Sequence, residues 1–490
     1  MSHTSFETFQ ELASRGTFVP VCKEIRADLL TPLSAFLKVA ENADHAFLLE
    51  SVEGGEHVGR YSFLGKDPFL VLRSRDGVTV VEENGESRNE AGPFLDRLRA
   101  VMGDYQAPKV PGLPRFTGGA VGFLGYDAAS WFEPSLEGVW RSRDVPASGE
   151  DDAGFMLFDT IMAFDHVKHR ILVIANARVD PNADLGRAYE LACAKIHFLE
   201  QELDRALSAP SDAPPTEKDV RSKSSRVVFE RAVLTAKDHI TAGDIYQVVL
   251  SRRFETTVSA DPFTVYRALR HVNPSPYMYF IRMGALSIIG SSPEMLVRVE
   301  GRDVVTHPIA GTRPRGTDDA EDQRLAEELA QDEKERAEHT MLVDLGRNDL
   351  GRVCEYGSVK VAQFMGLERY SHVMHLVSRV KGRLRDDVDR LDALAACFPA
   401  GTVSGAPKIR AMEIICDLEP ARRGIYAGAI GYLDFAGNLD CCITIRTITM
   451  RDGRAQVQAG AGIVADSNPA AEYKETADKA SALLRALELV

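Results

Sequence analysis

The apolar positions of this chain change period from one region to the next. Before about residue 207 they fall mostly in short runs separated by Gly, Asp and Asn. Phe47–Ser51, Tyr61–Leu64, Phe69–Leu72 and Ile171–Ile174 therefore read as strands. Leu191, Ile196, Leu199 and Leu203 recur at helical spacing, which predicts a helix over Leu185–Leu207. Further along, Val227–Ile240 reads as a helix and Leu286–Ile289 as a strand. Asp318–Leu345 reads as one long helix, polar at its start and apolar at Met341, Leu342 and Leu345. Ala455–Ala459 alternates as a strand, and Asp466-Ser467-Asn468-Pro469 carries cap residues and a first-turn proline that open a last helix. Strands and helices mix without a regular βαβ repeat, so the expected class is α+β with sizeable antiparallel sheets. No internal repeat, G-x-G-x-x-G or P-loop follows a strand.

One stretch breaks the pattern. Ser208–Ser225 is rich in Pro, Ser and charge and has almost nothing to bury, which suggests a connector. It divides the chain into a first unit over 1–210, a linker over 211–225 and a second unit over 226–490. With 490 residues, 44% hydrophobic and 27% charged, the chain can build two cores. Its net charge of −14 argues against nucleic acid or an anionic membrane as partner. An anionic substrate would need a local island of Arg, Lys and backbone N–H groups. The start, Met1–Glu7, has no basic and apolar signal pattern, and no run of about 18 uncharged apolar residues occurs. The seven cysteines are scattered, apart from Cys441-Cys442, and form no C-x-x-C pair, so reduced thiols and a cytoplasmic location are expected.

Several segments carry possible chemistry. Gly460-Ala461-Gly462 follows the last strand, where glycines let a ligand approach main-chain N–H groups; spacing alone reads it as a tight turn or bulge. Glu472, Glu475 and Lys479 share one helix face, and on spacing alone Glu475 and Lys479 make a solvated ion pair. Glu335 and Glu338 lie beside His339 in the long acidic helix. Carboxylates there either form a solvated face or, paired with Glu475, suit Mg²⁺. Oxygen donors without a Cys/His cluster speak against zinc. Gly401–Lys408 is a loop of small and hydroxyl residues opening a helix, an anion-friendly corner, although capping alone would explain Ser404. Arg446 is expected on an alternating strand with Ile443 and Ile445, either paired with a carboxylate or at an edge. His375 has apolar neighbours, as a core histidine would. Pro308–Arg313 reads by itself as a Gly/Pro-punctuated turn.

Taken together and in order, these segments resemble the chorismate-utilising enzymes. The segments are Gly290–Glu294, Pro308–Arg315, Glu338-His339 with Asp344–Asp349, Gly401–Lys408, Gly460–Gly462 and Glu472-x-x-Glu475-x-x-x-Lys479. The likeness covers roughly Val227–Val490, and the first unit resembles that of anthranilate synthase large subunits. The resemblance implies two antiparallel sheets packed face to face with helices outside, and a cleft for chorismate and Mg²⁺ in the second unit. It implies Glu338 and Glu475 as metal carboxylates with Glu472 close by, and Gly460, Ala461 and Gly462 as backbone donors to a carboxylate. Tyr426 and Arg446 would bind the enolpyruvyl side chain, with Gly311 and Thr312 also lining the substrate. Glu294 would be the general acid. His375, Thr402 and Lys479 would be site residues, His375 the candidate for proton removal.

Within the family the reaction turns on two positions. Aminodeoxychorismate synthases of the common type carry a nucleophilic lysine where this chain has Ala310. Isochorismate and salicylate synthases carry a water-activating lysine where it has Gln247, and glutamine is no base. Both absences point to ammonia as nucleophile and anthranilate with pyruvate as products. No cysteine sits in a Gly-x-Cys-x-Gly elbow, so the family implies a separate glutamine amidotransferase subunit. Leu48–Ser51 and Asn273–Met278 resemble a tryptophan feedback site, in which Ser51, Pro276, Tyr277 and Met278 would touch the inhibitor. The alternatives are an enzyme releasing aminodeoxyisochorismate or aminodeoxychorismate and, more remotely, a non-catalytic chorismate sensor.

Overall fold

A computed structural model describes residues 3–51, 59–142, 149–180, 184–207, 219–222, 224–370 and 373–490. Its frame is a pair of antiparallel sheets, each twelve-stranded among the described residues. The first runs Phe18–Arg26, Arg170–Arg178, Thr160–Asp165, Tyr61–Lys66, His45–Glu50, Tyr277–Met283, Leu286–Ser292, Thr447–Arg451, Arg454–Ile463, Gln247–Thr257, Arg221–Ser222. The second runs Ile309–Pro314, Val373–Arg383, Asp303–Thr306, Met295–Glu300, Leu439–Ile443, Ala429–Asp434, Gly119–Leu124, Ala153–Phe158, Leu70–Arg75, Val78–Glu83, Glu86–Glu90. Two strands attach at the side: the two-residue Gly405–Ala406 pairs with Gln247–Thr257, and the ten-residue Lys360–Arg369 with Val373–Arg383.

Alternation explains the layering. Phe47, Phe63, Ile174, Tyr279 and Ile288 from the first sheet meet Val121, Phe123, Met156, Phe158 and Ile430 from the second in one buried core. The opposite faces are covered by helices. Phe9, Phe36, Phe263, Ile196 and Leu483 cover the first sheet, and Leu98, Val343, Leu350, Leu394 and Met412 the second. The molecule is thus an α/β/β/α sandwich, the α+β class expected of it. Strands from either side of residues 211–225 are neighbours in both sheets, as where His45–Glu50 pairs with Tyr277–Met283 and Gly119–Leu124 with Ala429–Asp434. The linker proposed at 211–225 coincides with no gap in either sheet; most of it, 211–218 and 223, lies outside the described residues.

Several local expectations are revised. Asp318–Leu345 is two helices, Asp319–Gln331 and Glu333–Gly351. Asp332 breaks them: its carboxylate accepts from the backbone N–H groups of Lys334 and Glu335 and pairs with Arg313. Pro308–Arg313 is no simple turn, because Ile309–Pro314 is an edge strand with a bulge at Gly311, whose φ is +67°. Gly460–Gly462 stays inside the strand Arg454–Ile463, held by pairing to Ser251, Leu250 and Val249. Arg446 lies between strands, at φ +52°, not within one. Leu191 faces solvent at 60% exposure, although Ile196, Leu199 and Leu203 are buried as the helical spacing predicts. Among the described residues no helix is long and apolar enough to cross a membrane.

Candidate active site

Where the two sheets end near the helices Glu333–Gly351 and Pro469–Glu488, a cavity of about 230 Å³ opens. Ten predicted residues line it: Glu294, Thr312, Glu338, His375, Thr402, Tyr426, Arg446, Gly460, Gly462 and Lys479. The two positions that separate reactions, Gln247 and Ala310, line it as well. They come from segments more than 200 residues apart in sequence, brought together because β-ladders join distant strands.

Glu294 precedes the strand Met295–Glu300, and its backbone is pinned by an Ile443 N–H donating to its carbonyl at 3.0 Å. Its carboxyl group is buried, and the Thr402 hydroxyl donates to it at 3.0 Å. Burial pushes its pKa up to about 8, against the lowering pull of Thr402 and Lys479. Glu294 therefore keeps a proton at neutral pH, as a general acid must.

Two strands along in the same sheet, His375 Nδ1 lies 3.1 Å from the Gly311 carbonyl and 3.1 Å from Thr312 Oγ1. A carbonyl only accepts, so the proton sits on Nδ1 and Nε2 keeps its lone pair. Burial lowers the pKa of His375, favouring that neutral form. His375 thus lines the cavity and is not packed in the core. Gly311 contributes its carbonyl and the bulge that places Thr312.

Two glycines of the strand behind open the cavity lining. A Cβ on Gly460 would come 2.7 Å from the Tyr426 hydroxyl, and one on Gly462 2.7 Å from Gln247 Nε2. Pairing to Thr447–Arg451 stops at Val457, so Gly460–Gly462 is laddered on one side only. Ala461 points away into an apolar cluster and is fully buried. Lys479 donates to the Gly460 carbonyl at 3.1 Å and pairs with Glu475 at 2.7 Å. Arg446 donates to the Lys479 carbonyl; burial lowers its pKa, opposed by nearby Tyr426 and Glu475. Among the described residues it makes no carboxylate salt bridge. Ser404 does not cap the next helix, since its hydroxyl donates to the Ala400 carbonyl at 2.8 Å.

Of the three carboxylates expected at a metal, Glu338 lines the cavity, whereas Glu472 and Glu475 lie outside its lining, Glu475 reaching it only through Lys479. Glu338 accepts from Gln247 Nε2 at 3.3 Å, and its pKa is raised by burial and then by Glu335. Oε2 of Glu472 is buried without a hydrogen-bond partner, and burial raises its pKa too. Glu475 is half-exposed. Among the described residues no three His, Cys, Asp or Glu side chains converge enough to hold a metal unaided. The donor set is nonetheless hard oxygen, and the orphaned Glu472 oxygen with the desolvated Glu338 carboxyl fits a cation that also binds substrate oxygen.

A second cavity, of about 390 Å³, lies between the sheets and is lined by Ser51, Pro276, Tyr277 and Met278 together. The sequence reading missed Arg298, Tyr432 and Asp440 there. Arg298 Nε donates to Asp440 at 2.9 Å, and the Tyr277 hydroxyl donates to the same carboxylate at 3.1 Å. It also missed Gln458 in the first cavity, although strand parity with Gly460 and Gly462 was a usable signal.

Fold and first cavity bring together a protonated buried acid, a neutral histidine, a desolvated arginine and the Glu338 carboxyl. The family model described as chorismate binding enzyme matches residues 44–485. Anthranilate synthase component 1 of Acetivibrio thermocellus is 49% identical, covering 100% of this chain and 99% of its own length. That of Synechocystis is also 49% identical, over 99% of each. The crystal structure of anthranilate synthase component I from Streptococcus pneumoniae superposes with a TM-score of 0.77 at 40% identity, covering 94% of this chain and 98% of that one. The menaquinone-specific isochorismate synthase of Escherichia coli shares the fold, with a TM-score of 0.72 at 20% identity over 99% of each chain. The chain belongs to the chorismate binding enzymes and, within them, to the anthranilate synthase component 1 family.

Proposed function

We propose that the chain converts chorismate and ammonia to anthranilate, pyruvate and water, the first committed step toward tryptophan. The observation that carries this reading is the pairing of Ala310 and Gln247 in one cavity. Neither supplies a lysine, and Lys479, the lysine of that lining, is engaged by Glu475 and the Gly460 carbonyl. A small external nucleophile is what remains.

In this reading Glu294 gives its proton to the ring hydroxyl, the C–O bond breaks and water leaves. Ammonia forms the new C–N bond next to the ring carboxylate and gives up one proton, which restores the Glu294 acid. His375 Nε2 then takes the ring proton as the enolpyruvyl C–O bond breaks; the departing enol gains a proton and becomes pyruvate. Tyr426 and Arg446 hold the enolpyruvyl carboxylate, the Gly460 and Gly462 stretch receives the ring carboxylate, and Thr312 orients His375. Glu338 and Glu475, with Glu472, would hold Mg²⁺. When bound, that ion supplies positive charge for the ring carboxylate and the leaving oxygen.

Ammonia would come from glutamine through a separate amidotransferase subunit, because none of the seven free cysteines lies in a Gly-x-Cys-x-Gly elbow. Tryptophan would bind in the second cavity, at Ser51 and Pro276–Met278, and bias closure of the first. The test supplies the full-length chain alone with chorismate, Mg²⁺ and a high concentration of ammonium at alkaline pH. Anthranilate fluorescence with equimolar pyruvate is expected, and EDTA should abolish both. An aminated product that keeps its enolpyruvyl group would overturn the reading in favour of an aminodeoxyisochorismate synthase.

A further inference from the structure

Behind the cavity wall lies a buried ion pair for which the reaction has no use. Arg423 is 2% exposed and Glu419 9%. Nε and Nη2 of Arg423 donate to the two Glu419 oxygens at 2.9 and 2.6 Å. The guanidinium also donates to the Val403 carbonyl through Nη1 and to the Val249 carbonyl through Nη2, each at 2.7 Å. On the other side Glu419 Oε1 accepts from the backbone N–H and the hydroxyl of Ser251, both at 2.8 Å. The Ser251 hydroxyl in turn accepts from Gln458 Nε2 at 2.8 Å.

A buried ion pair adds little net stability, because desolvation offsets its attraction. What this network supplies is geometry. Val249, Val403 and Gln458 line the cavity, whereas Arg423 and Glu419 do not touch it. Val403 follows Thr402, whose hydroxyl reaches Glu294. A planar, forked guanidinium already oriented by a carboxylate can hold two carbonyls at one separation; an ammonium on a flexible stem cannot.

We propose that Arg423, oriented by Glu419, is a positioning residue that keeps the Thr402–Val403 turn and the strand Gln247–Thr257 at the spacing that leaves the Thr402 hydroxyl on Glu294. The proposal rests on the chorismate–ammonia reading of this cavity.

The test compares wild type, Arg423→Lys, Glu419→Gln and Thr402→Val as full-length chains, measuring kcat against pH at a fixed concentration of free ammonia. Thr402 stabilises the ionised form of Glu294, so loosening it raises the pH at which the acid is lost. The other charged or titratable groups around Glu294 (Lys479, Glu338, His375, Arg446, Tyr426, His307 and Asp349) are unaltered in all variants. Arg423→Lys should lower kcat ~10- to 100-fold, the scale of a small misplacement of a reacting group. Its alkaline limb should move to higher pH, in the same direction as that of Thr402→Val. A uniform fall in kcat with an unmoved limb would reduce Arg423 to a fold support and overturn the proposal, as would an unchanged kcat. If Arg423→Lys does not fold, the shape-preserving Glu419→Gln is read by the same criteria. Failure of the wild type to make anthranilate would instead refute the underlying reaction.

Discussion

The two cavities are built from similar residue types and behave oppositely. In the cavity between the sheets, Arg298, Asp440 and Tyr277 satisfy one another, and burial raises Tyr277 well above its ordinary pKa. Its interactions with Asp440 and Tyr277 likewise raise Arg298 despite burial. Both shifts strengthen the forms these groups already have at neutral pH. In the other cavity the shifts run toward neutrality: Glu294 rises to about 8, Glu338 rises, and His375 and Arg446 fall. The first arrangement is suited to recognising a ligand without reacting, the second to moving protons. Both touch the strand Leu439–Ile443, since Asp440 and Cys442 line one cavity and Ile443 holds the Glu294 backbone beside the other.

The contrast is broken most directly at Glu294. Glu294→Gln keeps the shape and removes the transferable proton, so kcat for anthranilate should fall by ~10²–10⁴. Chorismate affinity, measured by equilibrium binding, should hardly change; a kcat near wild type would leave the cavity without its acid. A smaller effect is expected across the molecule. Ser51→Phe would fill the inter-sheet cavity, and the tryptophan concentration for half-inhibition should rise about 10- to 100-fold, the range of a typical coupling energy. Uninhibited turnover should stay close to wild type. Unchanged inhibition would remove the regulatory role from that cavity.

The smallest effect concerns stability. The folded pKa of Glu294 is raised above its ordinary value of 4.5, so its contribution is fully present below about pH 4.5 and lost as pH rises through about 8. Glu294→Gln should therefore melt higher than wild type at pH 8–9 by a few degrees, a gap that closes near pH 5. A gap independent of pH would mean that the carboxyl is not desolvated. Catalytic activity limited by this acid should decline over the same alkaline range.

Much of the frame was legible along the chain because alternation and capping are local. Phe47, Tyr61 and Ile171 begin runs that became strands, and Asn468 caps Pro469–Glu488 by accepting from Ala470 and Ala471. Asp332 with Glu335 three residues on is a helix-start signal that the long polar run hid; the cap to Lys334 and Glu335 is local, and the ion pair with Arg313 on another element reinforces it. The other failures share a cause. Gly460–Gly462 looks like a turn by composition, yet ladder bonds to Gln247–Thr257 keep it extended. Arg446 sits in a left-handed conformation that its strand-like neighbours do not announce. Gln458, Arg423 and Glu419 went unseen because one is an ordinary strand residue and the others an ordinary i, i+4 pair until burial makes them a network.

Which chemical groups are available is written in the order of residues, above all the absence of lysine at 247 and 310 and the presence of Glu294, His375 and the Glu472–Lys479 face. Identity of a side chain is a property of one position. It takes the folded arrangement for Glu294 to keep its proton, for His375 to present Nε2, and for Ala310 and Gln247 to face the same space. Those are properties of neighbours: desolvation, charge and hydrogen bonding depend on distances between segments that the chain order leaves free.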